Sequence, residues 1–121
     1  MRKGKAGMIN LEVQVKEGYH IQAFEVADEF LVPTKLEFTS PDDFTLESAV
    51  FPPSKKFQLE GTDTYLDVYD EQFEILVPFD SKKSIRNGSY RLDGKLTYQA
   101  CDSVRCLFPR SVEFHIDVQV R

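Results

Sequence analysis

The chain has 121 residues, 41% hydrophobic and 29% charged, a length and balance that fit one globular domain with its own core. No stretch reaches the apolar length of a transmembrane helix, which argues against direct membrane insertion of this chain. Fifteen Lys plus Arg against 20 Asp plus Glu give a net charge of -5, so nucleic-acid phosphate and anionic lipid are poor partners.

The opening Met1-Arg2-Lys3-Gly4-Lys5-Ala6-Gly7 is basic like the front of a signal peptide, but no apolar stretch follows it. Residues 1–9 therefore read as a leader or remnant ahead of a single domain at 10–121. Ile9, Leu11, Val13 and Val15 then alternate with polar residues, the period of a half-buried strand. Glu17-Gly18 marks a turn, residues 19–24 a short strand, and residues 23–32 a helical turn. Strands follow at 35–39, at 44–50 after the turn Ser40-Pro41-Asp42-Asp43, and at 65–69 after Pro52-Pro53-Ser54 and Glu60-Gly61. Phe73, Ile75, Val77 and Phe79 alternate again, Asn87-Gly88 turns the chain, and residues 90–100 form the next strand. Val112, Phe114, Ile116, Val118 and Val120 close the series. About eight short strands with frequent turns and almost no helical period predict an all-β fold, an immunoglobulin-like antiparallel β-sandwich. The chain has no Trp and its two cysteines lie too close in sequence to bridge two sheets, so the likeness to antibody domains is one of architecture alone.

Both cysteines lie in Tyr98-Gln99-Ala100-Cys101-Asp102-Ser103-Val104-Arg105-Cys106-Leu107-Phe108-Pro109. A bridge between them closes so short a loop that it stabilises the fold by only about 2 kcal/mol. Facing ends of two antiparallel strands hold Cα atoms about 4.5 to 5.5 Å apart, within the reach of a disulfide. Arg105 beside Cys106 favours a thiolate and Asp102 beside Cys101 opposes one, which makes Cys106 the nucleophile and Cys101 the resolving thiol on charge alone. Leu107-Phe108-Pro109 offers an apolar docking patch for a partner. Cysteine arithmetic by itself gives equal weight to an inert hairpin clamp in a non-catalytic interaction domain.

Other chemistries are weaker. A zinc site from the cysteines with His20 and His115 needs ligands from three distant places, so no metal is expected. A hydrolase pairing Cys106 with His115 is opposed by the position of His115 on the polar face of an alternating strand. Asp63, Asp67, Asp70 and Glu71 read as a solvated edge.

The segment from Tyr98-Gln99-Ala100-Cys101 to Cys106-Leu107-Phe108-Pro109 resembles the active-site region of the N-terminal periplasmic domain of the thiol:disulfide interchange protein DsbD family. Gly18-Tyr19-His20-Ile21, Asp28-Glu29-Phe30-Leu31-Val32-Pro33-Thr34, Phe51-Pro52-Pro53-Ser54-Lys55 and Val68-Tyr69-Asp70-Glu71-Gln72-Phe73 agree with it, so the likeness spans about residues 10–120. The resemblance implies a periplasmic or cell-envelope thiol–disulfide oxidoreductase domain. Such a domain needs no cofactor, passes electrons from a thioredoxin-like donor to thioredoxin-fold acceptors through transient mixed disulfides, and serves processes such as cytochrome c biogenesis. It also implies a membrane-anchored parent protein. Cys106 matches the cysteine that joins the partner, and Cys101 the one that resolves the adduct. The family's cap loop corresponds to residues 58–66, where Tyr65 is the interior aromatic and Glu60-Gly61-Thr62-Asp63 lacks the family's acidic-aromatic-Gly order. Tyr65 and Asp63 on this loop, with Phe108 and Tyr98 beside the cysteines, are the expected shield and partner surface.

Overall fold

A computed structural model describes residues 1–26 and 29–121. Ten strands follow one another: β1 (Ala6–Gln14), β2 (His20–Gln22), β3 (Lys35–Thr39), β4 (Phe44–Leu46), β5 (Lys55–Gln58), β6 (Tyr65–Tyr69), β7 (Gln72–Ser81), β8 (Gly88–Tyr98), β9 (Ala100–Cys101) and β10 (Arg110–Val120). Among the described residues there is no helix. The helical turn expected at 23–32 spans two residues outside the description, and the described residues on either side of them make bends and turns.

The strands form three antiparallel sheets, ordered β1-β7-β4, β10-β8-β3 and β5-β6-β2-β9. The first two face each other as the immunoglobulin-like sandwich. Their alternation works as the period of two demands: Ile75, Val77 and Phe79 of β7 and Val118 and Val120 of β10 are buried, while Glu74, Asp80, Asp117 and Gln119 face outward. Ile9, Phe44, Ile85 and Leu92 complete this main core. Register is fixed by long ladders, Ile9 opposite Val77 and Leu92 opposite Ile116. At Gly94 the chain must be bare, because a Cβ there would lie 2.3 Å from the ring of Phe114 on the neighbouring strand. That ring also meets Phe38 of β3 edge-on at 5.6 Å.

The third sheet hangs from the sandwich by corners. The run read as one strand at 90–100 breaks at Gln99, leaving β8 in the sandwich and β9 in the third sheet. Gln99 is held at that corner from three sides. Its carbonyl accepts from Gln22 N at 3.0 Å, its Oε1 from Val32 N at 2.7 Å, and its Nε2 donates to the Leu107 carbonyl at 3.1 Å. The passage from β6 to β7 is equally sharp, with Glu71 at φ 55 in the left-handed region.

Three expectations change. Ten strands replace about eight, since β5 is mostly polar with Phe57 as its one apolar residue, and β9 is two residues long. The strand expected over 44–50 is β4 alone, followed by a single bridge from Val50 to Leu76. Residues 6–9, read as leader, are the first four of β1, with Ile9 buried in the main core.

Candidate functional site: a disulfide with one buried and one reachable sulfur

The third sheet brings Cys101 to its neighbours. On β2, His20 lies opposite Cys101 and Ile21 opposite Ala100; on the other side Ile21 lies opposite Tyr69 and Gln22 opposite Val68. Because side chains alternate, one face of this sheet carries Ile21, Tyr69 and Ala100, packed with Phe51, Phe73 and Tyr98 toward the sandwich. The other face carries Leu66, Val68 and Cys101, packed with Leu31, Phe57, Leu59 and Cys106. Tyr69 receives the Phe24 N–H on its hydroxyl, and its burial pushes the phenol above its ordinary value.

Cys101 and Cys106 form a disulfide with an S–S distance of 2.07 Å and Cα atoms 3.9 Å apart, closer than facing strands would hold them. The four residues between them make a tight loop. Asp102 Oδ1 accepts from Val104 N and Arg105 N at 2.8 Å each, Asp102 N donates to the Arg105 carbonyl at 2.9 Å, and Leu107 N to the Ala100 carbonyl at 2.7 Å. The amides of Arg105 and Val104 hold the Asp102 carboxyl below its usual value. Asp102 therefore stays ionised to lower pH and shapes the loop through these hydrogen bonds.

The two sulfurs differ in access. Cys101 is 0% exposed, whereas Cys106 is half-buried and followed by Leu107 and Phe108, the latter 92% exposed. Burial, not the flanking charges, sets the cysteines apart. The β5–β6 hairpin reaches over the pair, with its tip at residues 59–64, and Glu60 N donates to the Ser103 carbonyl at 2.9 Å. The groups packed with the cysteines are Leu31, Phe57, Leu59, Leu66 and Val68. Tyr65 is 56% exposed and points from the face of β6 opposite Leu66, and Asp63 is exposed at the tip, so neither covers the sulfurs. Tyr98 and Phe108 do share a surface: with Leu11, Val13, Leu107 and Val112 they line a largely apolar groove of about 740 Å³.

Two neighbours of the disulfide stand out, Gln22, which escaped the sequence reading, and His20, which it weighed only as a zinc ligand and as part of the family likeness. Gln22 is fully buried, and its Nε2 lies 3.1 Å from Cys101 Sγ and 3.8 Å from Cys106 Sγ. His20 stacks on Phe57 with ring centroids 3.9 Å apart and sets Nε2 3.8 Å from Asp70 Oδ2. Alternation in a strand at 19–24 gives Gln22 to solvent; it is buried because this sheet is covered on both faces. The signal that finds it is its place two residues after His20, on the face that carries Cys101. His115 is elsewhere, exposed on β10 opposite Asp93, and no group of three candidate metal ligands occurs among the described residues. Of the acidic edge, Asp67 pairs with Lys56 at 2.6 Å and Asp70 with Lys55 at 2.8 Å, while Asp63 and Glu71 are solvated.

Comparison with known proteins agrees with this geometry. The family model described as thiol:disulfide interchange protein DsbD, N-terminal, matches residues 1–117. Among solved structures, the reduced form of the Neisseria meningitidis DsbD N-terminal domain superposes with a TM-score of 0.54 at 19% sequence identity, covering 91% of this chain and 76% of that one. No curated protein sequence matches the chain.

Proposed function

Since the chain belongs to the family of thiol:disulfide interchange protein DsbD N-terminal domains, we propose that it is a cell-envelope module that relays electrons from a thioredoxin-like donor to thioredoxin-fold acceptors. The observation that carries this reading is the asymmetry of the bridge, one sulfur sealed and the other reachable beside an exposed apolar patch. A donor thiolate attacks Cys106 Sγ, the Cys101–Cys106 bond breaks, and its electron pair leaves on Cys101. The donor's second thiolate then attacks its own sulfur in the mixed disulfide and releases Cys106. The donor dithiol has lost two electrons and two protons, and this chain holds two thiols. Run in reverse against an acceptor disulfide, Cys106 attacks and Cys101 resolves.

Leu107, Phe108 and Tyr98 with their groove form the partner's landing surface, and Tyr65 and Asp63 lie on the outer side of the hairpin that a partner displaces. The periplasm or cell envelope is the compartment where such a couple cycles, and cytochrome c biogenesis is one process that draws on it.

Cys101→Ser incubated with a thioredoxin that keeps only its attacking cysteine, activated as a mixed disulfide with thionitrobenzoate as the leaving group, is expected to give a covalent adduct on a non-reducing gel that dithiothreitol cleaves, and Cys106→Ser is expected to give none. No adduct from either variant, with a wild-type bridge that resists thioredoxin-type reductants, defeats the proposal in favour of an inert clamp.

A further inference from the structure

The geometry points to Gln22 as a catalytic residue of this exchange, whose side-chain amide donates to Cys101 Sγ and stabilises the thiolate expelled when a partner attacks Cys106. The inference rests on the exchange reading above. A disulfide sulfur carries no proton, so the polar atom of Gln22 that approaches Cys101 at 3.1 Å must be the donating Nε2. The same nitrogen is 3.8 Å from Cys106 Sγ and therefore favours the buried sulfur over the reachable one. The favoured sulfur is the one that must leave.

The leaving step is where this chain faces its largest electrostatic cost. Cys101 is 0% exposed, and its face carries Leu66 and Val68 beside His20 and Gln22, so bulk water does not solvate a charge developing there. A donor already aimed at the atom that acquires the charge lowers the barrier without reorganisation. In exchange chemistry, stabilising the departing thiolate speeds attack on the opposite sulfur.

Gln22 is also held rigidly enough to act this way. Its N–H donates to the Gln99 carbonyl at 3.0 Å, and its carbonyl accepts from the hydroxyl of Thr34, itself 1% exposed. Its side chain is fully buried on the sheet face that carries Cys101. The amide has a second feature that fits a redox couple. Gln22 Oε1 is buried and has no hydrogen-bond partner among the described residues while the bridge is closed. Reduction creates S–H donors beside it. A buried acceptor left over in the oxidised state and filled in the reduced state biases the couple toward thiols.

The balance is simple: the partner thiolate forms a bond to Cys106 Sγ, the pair from the broken bridge resides on Cys101 Sγ against the Gln22 N–H, and a proton from solvent later converts that thiolate to a thiol.

The test is the reduction of the folded domain by dithiothreitol at pH 7, with rate and equilibrium read separately. Gln22→Met, close in shape but without a donor, is expected to be reduced about tenfold more slowly. Its equilibrium is expected to shift about tenfold toward the disulfide, which is about 30 mV more reducing. Gln22→Leu, which removes both the donor and the acceptor, is expected to slow reduction to a similar extent. Rates and equilibria within twofold of wild type in both variants would overturn the role of Gln22. Wild-type protein supplies a readout that needs no variant: the Gln22 side-chain amide resonances must move when the bridge is reduced, and fixed resonances equally sink the idea. These outcomes are separable from the fate of the exchange reading, because Gln22 fails while Cys101→Ser still traps thioredoxin, or trapping fails while the dithiothreitol rates still depend on Gln22.

Discussion

The sandwich and the disulfide-bearing sheet are built on different scales. Strands β1, β7, β8 and β10 run for 9 to 11 residues and share one apolar interior, whereas the third sheet is made of strands of 2 to 5 residues with two small clusters on its faces. Cohesion lies in the first region and chemistry in the second. A bridge can open and close at one end of the molecule when the rest does not rely on it, and loop and edge regions of low local stability are where such chemistry is tolerated.

The strongest way to break this contrast is to cut into the sandwich. Leu92→Ala, at a position with 0% exposure, is expected to lower unfolding stability by about 2 to 5 kcal/mol. Urea melts measure it, and the dithiothreitol rate of the remaining folded protein should be unchanged. A smaller loss is expected from the other end. Replacing both cysteines by Ala should cost about 2 kcal/mol and leave a folded chain, since the loop closed by the bridge is short. A cost of about 4 kcal/mol or more, well beyond what closing so short a loop supplies, would make the bridge a structural staple and erase the contrast.

Phe108→Ala sharpens it further. At 92% exposure the ring stabilises little, so the melt should move by less than about 0.5 kcal/mol while adduct formation with thioredoxin falls several-fold. The smallest effect is local and depends on pH. The Asp102 carboxyl is held below its ordinary 3.8 by the amides of Arg105 and Val104. Its contribution to the inter-cysteine loop is therefore complete above about pH 3.8 and is lost as pH falls through the lower folded value. Amide exchange at Val104 and Arg105 should speed in that acid window, and Asp102→Asn should blunt the pH response.

How much of this was legible in the chain follows the same division. Phe73, Ile75, Val77 and Phe79, and the alternation from Val112 to Val120, announce strands because each has one wet face and one dry face. The pair Cys101 and Cys106 was legible as a bridge, and its family likeness through the flanking Tyr98 to Pro109, but Cys106 makes only an isolated bridge to Cys101 ahead of β10 and does not end a strand. Of the third sheet, β6 was legible at 65–69 and β2 within 19–24, whereas β5 and β9 were not, because β5 is mostly polar and β9 is too short for a period to show, and covering both faces hides Gln22 behind a polar letter. Charge reasoning favoured Cys106 as the attacking sulfur. The structure distinguishes the two sulfurs by burial, with Cys101 sealed and Cys106 half-buried, while Asp102 is tied to the loop backbone. Tyr65 was the natural choice for a shield from residue type, yet the pairing of Phe57 with Leu66 turns it outward and gives the task to Leu59 and its neighbours.

The contact from Glu60 N to the Ser103 carbonyl is made entirely of main-chain atoms. A latch of that kind is indifferent to side-chain identity, so the amino acids at positions 60 and 103 are free to drift without unfastening the hairpin from the loop it overlies. Proline at position 60 is the exception, because it alone deletes the hydrogen that closes the clasp.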